Sequence, residues 1–117
     1  MAAGDINNDG LLDIYVCAAA WQTAELRKNI FYINQGVDPI TKIPKFKDLA
    51  EAYGLDDTTS THMATFFDYD NDGDLDVYLL VNDLNKDYPN TFRPIKTDGS
   101  ALTTDRLYRN DWNPVYN

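Results

Sequence analysis

The sequence has very few of the side chains that form disulfides or perform acid–base catalysis. It contains one cysteine, Cys17, and one histidine, His62. A single cysteine excludes an internal disulfide, and we interpret Cys17 as a small buried apolar residue. His62 lacks the serine and aspartate order of a catalytic triad, so we interpret it as structural. The sequence therefore predicts a protein that is not an enzyme, with no catalytic residue.

Long apolar runs and basic clusters are also absent. No apolar stretch approaches the ~20 residues of a membrane span, so we predict no membrane-spanning helix. The first residues, MAAG, show no basic segment followed by an apolar one, so they do not resemble a signal peptide. Phosphate binding needs clustered Lys and Arg, and only 10 such residues are spread over 117 positions. Nucleic acid is therefore excluded as a partner.

Acidic residues are abundant, and they are concentrated in two short loops. Residues 5–13 read DINNDGLLD and residues 68–76 read DYDNDGDLD. These loops hold eight of the 19 acidic residues, and the remaining acids nearly balance the basic ones. Like charges this close repel one another and oppose a compact turn. The formal charge of −9 is thus a local property of two loops that need a compensating cation.

The two loops place oxygen donors at the same positions. Counted from the first Asp, positions 1, 3, 5, 7 and 9 are Asp5, Asn7, Asp9, Leu11 and Asp13 in the first loop, and Asp68, Asp70, Asp72, Asp74 and Asp76 in the second. Leu11 cannot ligate through its side chain, so position 7 is expected to contribute its backbone carbonyl in both loops. Position 6 is glycine in both, where a sharp turn needs positive φ.

Calcium is the metal that these donors favour. It binds six to eight oxygens and tolerates irregular geometry, whereas zinc prefers Cys and His, and magnesium retains waters. An EF-hand is excluded because its position 12 is a bidentate Glu, and here it is Val16 or Leu79. A pair of metal-free turns rich in Asp, Asn and Gly is the alternative, since these residues favour turns. The matching positions favour two calcium sites.

The remaining sequence predicts an all-β, mainly antiparallel fold. Strand patterns occur at residues 12–18, 29–34, 62–67, 75–81 and 105–110. Those that follow the acidic loops are apolar on both faces, so we expect both faces to be covered. The second loop lies between two strands, whereas the first has only MAAG before it, so its leading strand is expected to be missing. The basic stretch 42–47 is interpreted as a solvated loop edge.

Two further segments define the predicted organisation. DLAE at residues 48–51 is a capping-box pattern followed by Gly54, which predicts a short helix. Residues 83–104 contain Pro89, Pro94 and few apolar side chains, and they predict a long surface loop. We expect a first repeat unit at residues 1–55, truncated at its start. The second unit spans 56–117, is truncated at its end and contains the inserted loop.

The residues from Phe66 to Tyr78 resemble the FG-GAP/VCBS repeat of integrin-α-type β-propellers. They are most similar to bacterial secreted proteins that combine such repeats with an ASPIC/UnbV domain. The resemblance extends to residues 46–55 and to LYRN at 107–110. It implies two incomplete propeller blades with a short helix between them, and a Ca²⁺ site between the first two strands of each. A closed propeller needs at least about four blades.

The resemblance also implies a function and a location. It implies a non-catalytic scaffold for adhesion or recognition in an extracellular or cell-envelope protein, with a protein or carbohydrate as ligand. The missing blades would come from a longer chain or from other copies of this one. Two alternatives remain: a fragment of a propeller-containing carbohydrate-active enzyme, and a short self-assembling blade module.

Overall fold

The computed structural model describes residues 1–19, 23–82, 96–101 and 103–111 of the chain. It forms two antiparallel β-sheets. The first sheet has four strands in sequential order: β1 (Ala2–Gly4), β2 (Asp13–Val16), β3 (Ile30–Val37) and β4 (Pro44–Asp48). The second has three: β5 (Thr61–Phe67), β6 (Asp76–Val81) and β7 (Arg106–Tyr108). A 3-10 helix (Glu25–Arg27) precedes β3, and a short α-helix, α1 (Ala50–Tyr53), follows β4.

This architecture confirms the predicted mainly antiparallel β fold with one short α-helix. The strands are paired as successive hairpins, and neither sheet closes on itself among the described residues. The predicted insertion at residues 83–104 lies largely outside the described residues, which include only 96–101, 103 and 104 of it. No helix in the described part of the chain is long and apolar enough to cross a membrane.

The first sheet differs from the sequence prediction at both of its edges. The leading strand is present, because Ala2–Gly4 pairs with β2 through Ala3 opposite Ile14. Three residues without alternating polarity gave no strand signal, so the prediction that this strand is missing was wrong. The basic stretch also enters the sheet, since β4 pairs with β3 through Phe46 opposite Asn34. All five residues of β4 are exposed, which explains why the sequence resembles a solvated loop.

The short helix ends as the sequence predicts and begins differently. Gly54 has φ of 69° and its N–H donates to the Glu51 carbonyl, which is the left-handed cap that glycine permits. At the other end, Leu49 is the N-cap residue, and its side chain makes no capping hydrogen bond. Asp48 instead accepts from the backbone N–H groups of Ala50 and Phe31. One carboxylate thus ties the start of α1 to the first sheet.

The two sheets pack against each other through one face of each, which we call the inner faces. The inner face of the first sheet holds Gly4, Asp13, Tyr15, Phe31 and Ile33, and that of the second holds Ala64, Phe66, Val77, Leu79 and Val81. The ring of Phe66 lies 6.5 Å from that of Tyr15 and 6.2 Å from that of Phe31. Tyr15 and Leu79 are completely buried. This contact forms the hydrophobic core.

The opposite faces, which we call the outer faces, are partly open. The outer face of the first sheet holds Ile14, Val16, Ile30, Tyr32 and Phe46, and that of the second holds Met63, Phe67, Tyr78, Leu80 and Leu107. All ten are half-buried or exposed. The expectation that both faces of the strands are covered was therefore wrong, because each sheet covers only one face of the other.

Asp57 links the segment after α1 to the last strand. Its carboxylate accepts from the Tyr108 hydroxyl at 3.0 Å and forms an ion pair with Arg106 at 2.7 Å. Burial opposes ionisation, but bonds from Thr59 and Tyr108 and the charge of Arg106 outweigh it, so the pKa of Asp57 is lowered. The Tyr15 hydroxyl also donates to the Leu55 carbonyl at 2.7 Å. These polar contacts fix the connection between the sheets.

Gly4 provides a direct test of the packing between the sheets. A Cβ at this position would lie 2.9 Å from Cδ2 of Phe66 and 3.1 Å from Cδ1 of Leu75. We expect Gly4→Val to lower the free energy of unfolding by about 1–3 kcal/mol, because overpacking forces neighbours to shift. Urea unfolding measures the change. Ala3→Val, on the exposed side of the same strand, should stay within about 0.5 kcal/mol. Equal stability of both variants and the unmodified chain would contradict the packing.

Candidate metal centre

The two acidic loops connect equivalent strands and follow the same backbone path. The first loop joins β1 to β2, and the second joins β5 to β6. The glycine at position 6 has positive φ in both loops, 84° at Gly10 and 96° at Gly73, as predicted. The asparagine at position 4 is also left-handed, with φ of 56° at Asn8 and 62° at Asn71. Asn tolerates this conformation better than most residues. Its recurrence in both loops is a further sequence signal of the shared turn.

The aspartate at position 1 organises each loop. In the first loop, Asp5 accepts from the N–H of Asp9 at 3.0 Å and from the N–H of Gly10 at 2.8 Å. In the second, Asp68 accepts from Asp72 at 3.1 Å and from Gly73 at 2.9 Å. Both carboxylate oxygens are thus engaged by the N–H groups of positions 5 and 6. The same two bonds in both loops hold the turn in one conformation.

The aspartate at position 9 anchors the first loop to β3 and the second loop to the residues just after β7. Asp13 accepts from the N–H of Ile6 at 3.1 Å and from the N–H of Asn34 at 2.8 Å. Asp76 accepts in the same way from Tyr69 at 3.0 Å and from Asn110 at 2.7 Å. Both aspartates are completely buried.

The two asparagines, Asn34 and Asn110, also bind the loops through their side chains. The Asn34 amide donates to the Leu12 carbonyl at 3.2 Å. The Asn110 amide donates to the carbonyls of Ile6 at 2.9 Å and Leu75 at 3.2 Å, so it bridges the first loop and the segment leading into β6. Neither asparagine is among the predicted site residues. Their matched positions at the ends of the two third-strand patterns were the available signal.

The second loop gathers three carboxylates. Ligand atoms of Asp68, Asp70 and Asp76 all lie within 4.8 Å of one another. Within residues 1–19, 23–82, 96–101 and 103–111, this is the one group of three or more acidic, His or Cys side chains that are so close. Asp72 accepts from the N–H of Asp74 at 3.3 Å. The carboxylates at positions 1, 3 and 9, which are predicted ligands, therefore lie close together. The carboxylate at position 5 instead accepts a hydrogen bond within its own turn.

The first loop has the same path with a different residue at position 3. There Asn7 donates its amide to Asp9 at 3.0 Å, while Asp9 also accepts from the N–H of Leu11 at 2.8 Å. The amide oxygen of Asn7 is buried and has no hydrogen-bond partner among the described residues. A buried oxygen without a donor is costly unless another group binds it. A cation bound at position 3 would satisfy this oxygen.

Crowding of the carboxylates changes their pKa values. The pKa of Asp70 is raised by desolvation and by the charges of Asp72 and Asp76. The pKa of Asp74 is raised to about 6 by its hydrogen bond with Asp72, with burial and neighbouring charges adding to the shift. Burial likewise raises the pKa of Asp13. A bound cation would favour the ionised carboxylates and offset this repulsion.

Position 7 differs between the two loops. Leu11 is 36% exposed, and the side chain of Asp74 is buried. One carboxylate oxygen of Asp74 has no hydrogen-bond partner in the described part of the structure. The sequence predicts only a carbonyl role for Asp74, so the buried side chain is an additional feature of the second loop. The carbonyl ligands at Leu11 and Asp74 stay a prediction.

His62 and Cys17 are the other two residues considered for catalysis. His62 lies in β5, is exposed, and its Nε2 is 3.1 Å from the Asn82 carbonyl. Cys17 is half-buried beside the core, and burial raises the pKa of its thiol. A raised thiol pKa reduces the reactive thiolate.

Comparison with known families agrees with the repeated loops and strands. The model of the FG-GAP-like repeat matches residues 5–79, which is more than half of the chain. No curated protein and no solved structure gave a match. The matched segment runs from the first loop through most of β6, and such repeats are typically scaffold modules without catalytic activity. The chain therefore belongs to the FG-GAP-like repeat family.

Proposed function

We propose that this chain is a calcium-stabilised, non-catalytic propeller segment that serves as a scaffold for recognition. The observation that supports it most is the convergence of Asp68, Asp70 and Asp76 within 4.8 Å at the turn of a hairpin. Three carboxylates at this spacing are unfavourable alone and suit a divalent cation. The first loop supports the same role, because its hydrogen bonds repeat those of the second.

The ligands of the two sites follow from the loop positions. The first ion would be held by Asp5, Asn7, Asp9 and Asp13 with the Leu11 carbonyl, and the second by Asp68, Asp70, Asp72 and Asp76 with the Asp74 carbonyl. All of these donors are oxygen, and the set mixes carboxylates, an amide and carbonyls, which calcium accepts. Calcium supplies positive charge that offsets the carboxylates. The protein supplies the turn, through Gly10 and Gly73, and the anchor to the third strand.

The role proposed for calcium is to hold each hairpin in register with its sheet. Position 9 connects the loop to the third strand, so an ion bound there would link the loop, β2 and β3, or the loop, β6 and β7. We propose an extracellular or cell-envelope location, because calcium in extracellular fluids is concentrated enough to fill weak sites. The recognised ligand would be a protein or a carbohydrate.

A calorimetric titration tests the calcium proposal. We expect the unmodified chain to bind two calcium ions and Asp70→Ala to bind one, because Asp70 contributes a ligand to the second loop only. Asp70 accepts no backbone hydrogen bond among the described residues, so its loss leaves the turn intact. Glu51→Ala removes the same charge from the exposed helix α1 and should still bind two ions.

The pair Asp70→Ala and Asp70→Asn adds a further control. The asparagine variant recreates the position-3 residue of the first loop, Asn7, and should recover the second ion with weaker affinity. Two ions bound by Asp70→Ala with unchanged affinity would contradict the assigned site. The absence of any calcium binding to the unmodified chain would contradict the proposal as a whole.

A further inference from the structure

The two sheets pack against each other through faces that are not equivalent in the repeat. Tyr15 and Tyr78 are equivalent, since each lies two residues after the position-9 aspartate. Tyr15 is on the inner face of the first sheet and is completely buried, whereas Tyr78 is on the outer face of the second sheet. Phe31 and Leu107 are likewise equivalent, three residues before Asn34 and Asn110. Phe31 is 0% exposed and Leu107 is 46% exposed.

The reverse relation holds for the other faces. Val77 and Leu79 are buried on the inner face of the second sheet, and their equivalents, Ile14 and Val16, lie on the partly open outer face of the first. The outer face of the first sheet therefore carries the same repeat positions as the inner face of the second sheet. The outer face of the second sheet likewise carries the same repeat positions as the inner face of the first. The packing is a face-to-back stack, and among the described residues it leaves one partly open face of each kind.

From this relation we propose that the two outer faces bind each other in different copies of the chain. The outer face of the second sheet in one copy would pack on the outer face of the first sheet in the next, continuing the contact already made between the sheets. This interface is heterologous, because two different surfaces meet, and such interfaces close into rings or extend as filaments. It rests on the packing of the two sheets and is independent of the proposed calcium binding.

The side chains of both faces suit this contact. The outer face of the first sheet holds aliphatic and aromatic side chains beside Asn34 and Asp48, and the rings of Tyr32 and Phe46 meet at 6.5 Å. The outer face of the second exposes Met63, Phe67, Leu80 and Leu107 by 39–56%. Contiguous apolar side chains on a sheet face are typical of an interaction surface.

Complementation between two blocked variants tests the interface. Tyr32→Lys blocks the outer face of the first sheet, and Leu80→Lys blocks that of the second. Each variant alone should be a monomer by light scattering, because each lacks one half of the contact. An equal mixture should form a dimer of twice the 13.3 kDa chain mass, because one intact face of each kind remains. The unmodified chain should form larger assemblies.

Two controls keep the test decisive. Ile40→Lys introduces the same charge at a turn residue that is 89% exposed and on neither face, and it should associate like the unmodified chain. Met63→Lys, at a 56% exposed position of β5, replaces Leu80→Lys if that variant does not fold. All samples contain calcium, and calcium binding is measured separately, so a failure of the proposed site is distinguished from a failure of the interface.

Three results would overturn the inference. The unmodified chain could remain a monomer up to its solubility limit. One blocked variant could still self-associate, which would indicate a symmetric contact between identical faces. The mixture of folded variants could remain monomeric, which would exclude contact between the two outer faces.

Discussion

Chelation of calcium is expected to lower the melting temperature of the chain by roughly 20 °C, because the two proposed ions would each stabilise the folded state by about 2.7 kcal/mol at a hundredfold excess over Kd. Without the ions, the carboxylates of both loops repel one another at the turns of the hairpins. In the proposed role, calcium would bind only where those turns are formed, so its removal would shift the equilibrium toward the unfolded chain. Differential scanning calorimetry in calcium and in EDTA measures the change.

Add-back experiments separate calcium from a general effect of the chelator. Excess calcium should restore the melting temperature fully, and EDTA already saturated with calcium should have no effect. Magnesium should restore less, because it demands octahedral geometry and retains its waters. An identical melting temperature in calcium and in EDTA would contradict the stabilising role.

The largest effect of a single substitution is expected at Asp76. Asp76→Ala removes the acceptor of the N–H groups of Tyr69 and Asn110, and it also removes a proposed metal ligand. Leaving two donors without partners should cost about 2–4 kcal/mol even in EDTA. Urea unfolding in calcium and in EDTA separates the two contributions. In calcium the loss should be greater, because one ion is lost as well.

Asp70→Ala is the matched comparison for this effect. Asp70 belongs to the same carboxylate group but accepts no backbone hydrogen bond among the described residues. Its substitution should therefore destabilise the chain in calcium and have little effect in EDTA. Equal destabilisation by both variants in EDTA would show that the bonds from Tyr69 and Asn110 do not stabilise the fold as we propose.

The loops and most of the strands could be predicted because their signals are local. Alternating oxygen donors, a glycine at position 6 and a following apolar strand occur within fourteen residues, and they recur in both copies. The helix end at Gly54 is similarly local, since glycine adopts positive φ at little cost. The strand β4 could not be predicted, because its exposed residues have no buried face and pair only at the edge of the sheet.

The anchors of the loops and the choice of buried face depend on contacts between distant residues. Asn110 reaches the Ile6 carbonyl across 104 positions, and no local pattern indicates such a bond. Ile14–Val16 and Val77–Leu79 have nearly the same sequence, yet the central tyrosine is buried in one sheet and half-buried in the other. The sequence of one repeat contains both kinds of face. Which one is buried depends on the neighbouring sheet.

The central claim is that both acidic loops are cages for one calcium ion each, and a crystal grown in calcium tests it most directly. Anomalous diffraction should show one ion among Asp68, Asp70 and Asp76 and another at the equivalent place beside Asp5, Asn7 and Asp13. Each should have oxygen ligands at about 2.3–2.6 Å, including the carbonyl at position 7. Well-ordered loops without anomalous density in saturating calcium would contradict the claim.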